Sequence, residues 1–199
     1  MNHKETKQKG FTLIELLVVI AIIAILSLVV VLAINPVELL RQARDSTRLS
    51  DLQILSNAVS LYLSSVSSPS ITDNSAYCYM SLATSSCGGR YVNAPTATSS
   101  KSGVFSVDGS GWVPVNFNSM ISGSPVGKLP KDPVNTAGGT TSTNLYYSYA
   151  ASSTGLVFEF DAKMESLKYS ASGTSDVEST DGGPPNTYNL YEIGTILNY

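Results

Sequence analysis

Histidine is all but missing from this 199-residue chain: the single one, His3, lies within the first ten residues. Beyond those ten residues, Ser-His-Asp and Cys-His arrangements and His-containing zinc sites are ruled out. Cysteine is nearly as scarce, with only Cys78 and Cys87, nine apart in a Tyr- and Ser-rich stretch. In an exported chain that pair reads as a disulfide closing a short loop; in a reducing compartment it reads as two free thiols. Charge is sparse too, at 14% of residues, with a net of −3. No basic block occurs outside residues 1–10, so nothing indicates nucleic-acid binding. The length leaves room for one domain and an appendage.

Apolar residues, by contrast, are concentrated at one end. Residues 11–34 form a run of 24 positions with one ionisable group, Glu15. At about 1.5 Å per residue a helix of that length reaches roughly 36 Å, enough to cross a hydrocarbon core of about 30 Å. A secretory signal has an apolar region of only about 7–15 residues followed by a small-x-small cleavage site; here the run is too long and no such site follows. Lys4, Lys7 and Lys9 precede the run, and its far flank is nearly neutral. That asymmetry predicts a single-pass anchor with its N-terminus in the cytoplasm. Glu15 is the anomaly, because an unpaired carboxylate in lipid costs on the order of 2–4 kcal/mol. Either it snorkels to the headgroups and favours the positive helix end, or it meets a buried cation. Cleavage between Gly10 and Phe11 would create such a cation, the α-amine of Phe11.

The run Lys9-Gly10-Phe11-Thr12-Leu13-Ile14-Glu15-Leu16-Leu17, continuing apolar to Leu26, resembles the class III signal of type IV pilins and pseudopilins. The match is continuous over about 20 residues and joins a basic leader, Gly, Phe and Glu in fixed order. The resemblance implies that a prepilin peptidase cuts after Gly10 and N-methylates Phe11. It also implies that Glu15 recruits the subunit into a filament by neutralising a neighbour's N-terminus. The implied partners are further copies of the chain in a helical homopolymer, the peptidase, a platform protein, an assembly ATPase and the membrane. The implied location is the inner or cytoplasmic membrane for the precursor, then an extracellular or periplasmic filament.

Asn35-Pro36 interrupts the helical pattern, since proline removes the hydrogen bond to Leu32 and disfavours helix at Asn35. Asn35 as N-cap and Pro36 as first helical residue would restart it. From Val37, the residues Leu40, Ala43, Leu52, Leu55, Val59, Leu63 and Val66 recur on one helical face. Glu38, Arg41, Asp45 and Arg48 form a ladder of opposite charges along another, read as a solvated face or as pairing between neighbouring stalks. Straight, Phe11–Val66 would span roughly 84 Å.

The predicted fold is α+β and pilin-like: a long N-terminal helix, half transmembrane and half amphipathic, packed on a C-terminal antiparallel sheet. Its divisions are a leader at 1–10, a transmembrane helix at 11–34, a stalk at 35–66, a loop at 67–102 and a β-sheet head at 103–199. Strands are expected at Gly103–Val107, Gly111–Phe117, Asn144–Ala151, Gly155–Phe160 and within Tyr188–Leu197. Leu156, Phe158 and Phe160 are expected to share one strand face, and the tyrosines to be half-buried in the sheet. Leu129-Pro130-Lys131-Asp132-Pro133 resembles the turn-to-sheet junction of major type II secretion pseudopilins. Those proteins hold calcium on acidic C-terminal loops, which implies Asp176, Glu178 and Asp181 as oxygen ligands here; a solvated acidic loop is the default reading. No other cofactor is indicated.

The functional expectation is a structural, non-enzymatic subunit of a type IV pilus-like filament. The alternatives are a major pseudopilin of a type II secretion system and an anchored binding module or adhesin. Glu159 and Asp161 alternate so as to share a strand face and would suit a glycosidase-like pair. Solvent-facing strand positions account for them more simply.

Overall fold

A computed structural model describes residues 10–83, 90–91, 97–136, 144–178 and 189–195. The chain forms two compact units that divide at Leu39/Leu40.

The first unit is built on helix α1, Leu13–Ile34. Thr12 caps its start, and Asn35 ends it in the left-handed region (φ 45°, ψ 76°), a conformation that Asn tolerates better than most residues. Every described side chain of α1 is exposed, and its sequence is apolar on all sides. A helix without a polar face suits lipid or a protein interior rather than water. The hydroxyl of Ser27 donates to the Ile23 carbonyl (2.7 Å), so it needs no partner outside the helix. The 22 residues span about 33 Å, enough for a bilayer core.

Helix α2, Pro36–Ser65, starts with proline at its first position. The Asn35 carbonyl accepts the amides of Glu38 and Leu39, so one residue ends α1 and opens α2. Within the second unit α2 buries Asp45, Arg48, Leu52, Leu55, Ala58, Val59 and Tyr62, recurring at intervals of three and four along one stripe.

A five-stranded sheet completes the α+β arrangement. Its strands are β1 (Tyr77–Met80), β2 (Ala97–Thr98), β3 (Ser148–Ser152), β4 (Val157–Ala162) and β5 (Tyr191–Gly194), in the order β2-β1-β3-β4-β5. Four of them pair antiparallel, and β2 lies parallel to β1. The β3–β4 turn requires positive φ at Gly155 (83°) and Leu156 (53°), so Leu156 belongs to the turn rather than to the strand expected there.

The sheet face towards α2 carries Tyr79, Tyr149, Phe158 and Phe160, packed with Leu52, Leu55 and Val59 of the helix. Tyr149 and Phe160 lie 4.7 Å apart between ring centroids, and Trp112 meets Phe160 edge-on at 6.2 Å. Trp112 also donates its indole N–H to the Pro130 carbonyl (3.1 Å), which satisfies the one polar atom of a fully buried ring. Five tyrosines of the sheet region, Tyr79, Tyr91, Tyr146, Tyr147 and Tyr149, are fully rather than half buried.

Two expectations about strands need correction. Gly103–Val107 and Gly111–Phe117 are bends, joined by one isolated bridge between Asp108 and Asn116 and closed by a 3-10 turn at Phe117–Ser119. They form a wall of the core instead of sheet: Trp112, Val113, Val115 and Phe117 are successive or near-successive and all buried, a pattern that strand alternation forbids on a one-sided sheet. Conversely, β1 and β2 arise in the segment expected to be irregular loop. Four residues, Tyr-Cys-Tyr-Met, are too few to give a periodic signal.

Candidate functional site

The end of α1 that bears the expected processing site is built from Gly10, Phe11, Thr12 and Glu15. A methyl group placed on Gly10 would meet nothing within 4 Å, so the local fold does not require glycine there. Phe11 is almost fully exposed. Thr12 donates to Glu15 Oε2 through both its amide (2.9 Å) and its hydroxyl (2.7 Å), while the Glu15 amide returns a bond to the Thr12 hydroxyl (3.3 Å). This reciprocal capping box satisfies amides that the helix leaves open, and it sets the carboxylate beside the positive end of the helix. In the uncut chain Glu15 is therefore engaged by its own helix terminus. The Thr-x-x-Glu signature before an apolar run was legible in the sequence, yet treating Glu15 only as a charge overlooked Thr12.

Only part of the charge ladder of α2 is a solvated face: Arg41 is exposed and Glu38 half-buried. Asp45 and Arg48 have no exposed surface at all. Arg48 grips Asp132 bidentately (Nε–Oδ2 2.7 Å, Nη2–Oδ1 3.0 Å) and reaches Asp45 and Glu165 through Nη1, both at 2.7 Å. Arg44 adds a second fork onto Glu165. Asp45 in turn accepts the amides of Glu165 and Ser166, and Asp132 those of Val134 and Asn135. Burial disfavours the charge of Arg48, but Asp132, Glu165 and Asp45 outweigh it and hold the guanidinium more firmly protonated than usual. Burial likewise opposes ionisation of Glu165, and the bonds from Arg44 and Arg48 overcome it to keep the carboxyl below its ordinary value. The cluster anchors the loops bearing Asp132 and Glu165 onto α2, so it serves as an internal clasp of the second unit.

Of the three expected calcium ligands, Asp181 lies outside the described residues. Glu178 is buried and accepts the amides of Met164 (2.7 Å) and Ala171 (2.9 Å) and the ammonium of Lys163 (3.0 Å). Asp176 accepts the amides of Ser172 and Glu178. Both carboxylates fasten their own loop, so Glu178 is not part of a solvated acidic loop. Cys78 is fully buried beneath Tyr91 and Ala150; Cys87, its expected partner, lies outside the described residues, as do leader residues 1–9.

Glu159 and Asp161 also depart from expectation. They share a face of β4, but that face is closed to solvent: Glu159 is 2% and Asp161 0% exposed. Arg90 and Tyr91 lie buried over this side of the sheet, where Arg90 donates to the carbonyls of Asn144 and Tyr146 and to the Ser148 hydroxyl.

Comparison with known families finds one match, a model described as the prokaryotic N-terminal methylation motif, over residues 6–33. No curated protein and no solved structure matches the chain. The matched segment covers the capped start of α1 and nearly all of its apolar length. It points to a structural subunit of type IV pilin or pseudopilin type and to a membrane-anchored precursor. At its N-terminus this chain carries the class III prepilin-type signal that type IV pilins and pseudopilins share.

Proposed function

We propose that the chain is the structural subunit of a type IV pilus-like filament, cut between Gly10 and Phe11 by a prepilin peptidase, N-methylated on Phe11 and assembled through α1. The observation that carries this reading is a methylation motif set on an apolar helix whose described side chains are all exposed. In the membrane lipid covers that surface, and in a filament identical helices do. Gly10 supports the cleavage role, because a glycine that local packing does not demand is explained by the enzyme that must fit around it. Before cleavage the precursor holds its N-terminus in the cytoplasm and its second unit outside. Glu15 then acts by pairing with the new α-amine of Phe11 in a neighbouring subunit, in place of the amide and hydroxyl of Thr12.

A pseudopilus of a secretion system uses the same signal, and the position of the filament on the cell separates the two. Assembly through a platform protein and an ATPase belongs to this proposal, as does a Cys78–Cys87 disulfide in the exported unit. The test is Glu15→Ala in cells that assemble the wild-type filament. The variant should lose its ten leader residues normally, yet its content in sheared filaments should fall by about tenfold or more, one lost ion pair in lipid being worth at least ~1.4 kcal/mol. Wild-type incorporation of the variant would refute the proposed pairing.

A further inference from the structure

The face of the sheet turned away from α2 holds three acidic side chains that the filament reading leaves without a role. Asp161 on β4 stands between its direct cross-strand partners, Ser148 on β3 and Glu192 on β5, and Glu159 lies two residues along on the same side. Carboxylate oxygens of Glu159, Asp161 and Glu192, one from each, are no more than 4.8 Å apart. All three residues are at least nine-tenths buried. Like charges directly opposite on adjacent strands destabilise a sheet, and burial makes an uncompensated charge costlier still.

Positive charge is short here. The groups facing Asp161 are the hydroxyls of Ser148 (3.3 Å) and Tyr91, the carboxylates of Glu159 and Glu192, and one cation, Arg90. The Arg90 guanidinium is divided among the carbonyls of Asn144 and Tyr146 and the Ser148 hydroxyl. Lys163, two residues past Asp161, donates to Glu178 and to the Asn189 carbonyl. Segments 84–89, 92–96, 137–143, 179–188 and 196–199 contain no Lys, Arg or His, so the sequence has no further cation to bring from them. With all three acids ionised, one guanidinium would face three carboxylates in a closed interior. Neighbouring carboxyls in that position titrate in separate steps, and one proton leaves late.

We propose that Glu159, Asp161 and Glu192 share one bound proton in the folded second unit, and that its loss between mildly acidic and neutral pH loosens the edge strand β5. The geometry decides which side gives way. Towards β3, Asp161 meets a hydroxyl that Arg90 also bonds. Towards β5 it meets a carboxylate, on a strand of four residues with a sheet neighbour on one side only. Burial pushes the Asp161 carboxyl up to about 6, against the pull of Arg90 and of its hydrogen-bond partners. A carboxyl raised in this way binds its proton more tightly in the folded chain than in the unfolded one. Its contribution to stability is therefore complete below the ordinary aspartate range and is lost as pH rises through about 6. Glu165, held below its ordinary value despite burial, gives the opposite slope, but at lower pH. Burial also raises Asp51 and Glu178, so the comparison needs a variant that isolates Asp161.

The test uses the full-length chain in detergent, unfolded in urea and followed through Trp112, the single tryptophan, which is buried in the second unit. From pH ~5 to pH ~7.5 the folding equilibrium constant of the wild type should fall ~10-fold more than that of Asp161→Asn, whose neutral amide stands in for the protonated carboxyl. Two readouts on the wild-type chain need no variant. In a carbon-13 titration of the side-chain carboxyls, one of the three should change with a midpoint near 6. After correction for the intrinsic rate, the β5 amides should exchange several-fold faster at pH ~7.5 than at pH ~5, and the β3 amides should change less. Equal pH dependence in wild type and Asp161→Asn would overturn the proposal. So would titration of all three carboxyls below pH ~5, or β5 exchange that pH leaves unchanged.

Discussion

Arg48 shows how much a single residue can carry. It joins three acidic side chains, one from α2 and two from distant loops, the latter 84 and 117 residues away in sequence. Removing it leaves Asp45 and Asp132 buried as uncompensated anions beside Glu165, which is far worse than removing the whole set. Arg48→Ala should therefore destabilise the second unit by about 3–5 kcal/mol. A denaturant midpoint unchanged from wild type would show that the clasp is dispensable. The same residues explain why the sequence misled. Spacing of three and four set Asp45 and Arg48 on a face apart from the apolar one, yet they lie on the same buried stripe as Leu52 and Leu55, and periodicity cannot say what covers a face. Their acidic partners come from loops that no local pattern ties to α2. Glu159 and Asp161 were misjudged for the same reason: alternation put them on one face, and only the fold brings Arg90 and Tyr91 over it.

Among the elements, α1 and the apolar stripe of α2 from Leu52 onward were legible because each depends on local hydropathy, whereas Leu40 and Ala43, expected on that stripe, are exposed; Asn35-Pro36 marked the junction of the helices because both residues restrict the backbone on their own. The sheet was legible where strands are long enough to alternate, as in β4, and illegible in β1, which is held by pairing with β3 rather than by its own pattern. The edge strand β5 depends on Gly194. A Cβ there would fall 2.1 Å from the Phe158 carbonyl oxygen and 2.8 Å from Glu159 Cα, both backbone atoms that cannot swing aside. Gly194→Ala should cost about 1–3 kcal/mol and speed hydrogen exchange in β5 before the rest of the sheet. Uniform exchange at the wild-type rate would contradict that dependence. At the other side of the sheet, β1 carries the buried Cys78. If the proposed bond to Cys87 forms on export, secreted protein denatured without reductant should take up no maleimide, and Cys87→Ser should lower stability by about 2–4 kcal/mol. Labelling of two thiols per chain would rule the bond out.

For the whole molecule, the two units serve different solvents. The second unit covers its own core and pairs the buried charges of the Arg48 cluster internally. The first presents an apolar cylinder whose one carboxylate lies at its capped start, and it finds a stable setting only in lipid or among copies of itself. On the proposed function, processing at the junction of leader and helix is the decisive event, because cleavage after Gly10 would expose the Phe11 amine near Glu15 and remove the basic leader. The most direct measurement is the intact mass of the chain expressed with and without a prepilin peptidase. The account predicts an unchanged precursor without the enzyme. With it, the product should begin at Phe11, lighter by residues 1–10 and heavier by one methyl group. A chain that keeps its leader in both cases, or is cut anywhere other than after Gly10, would contradict it.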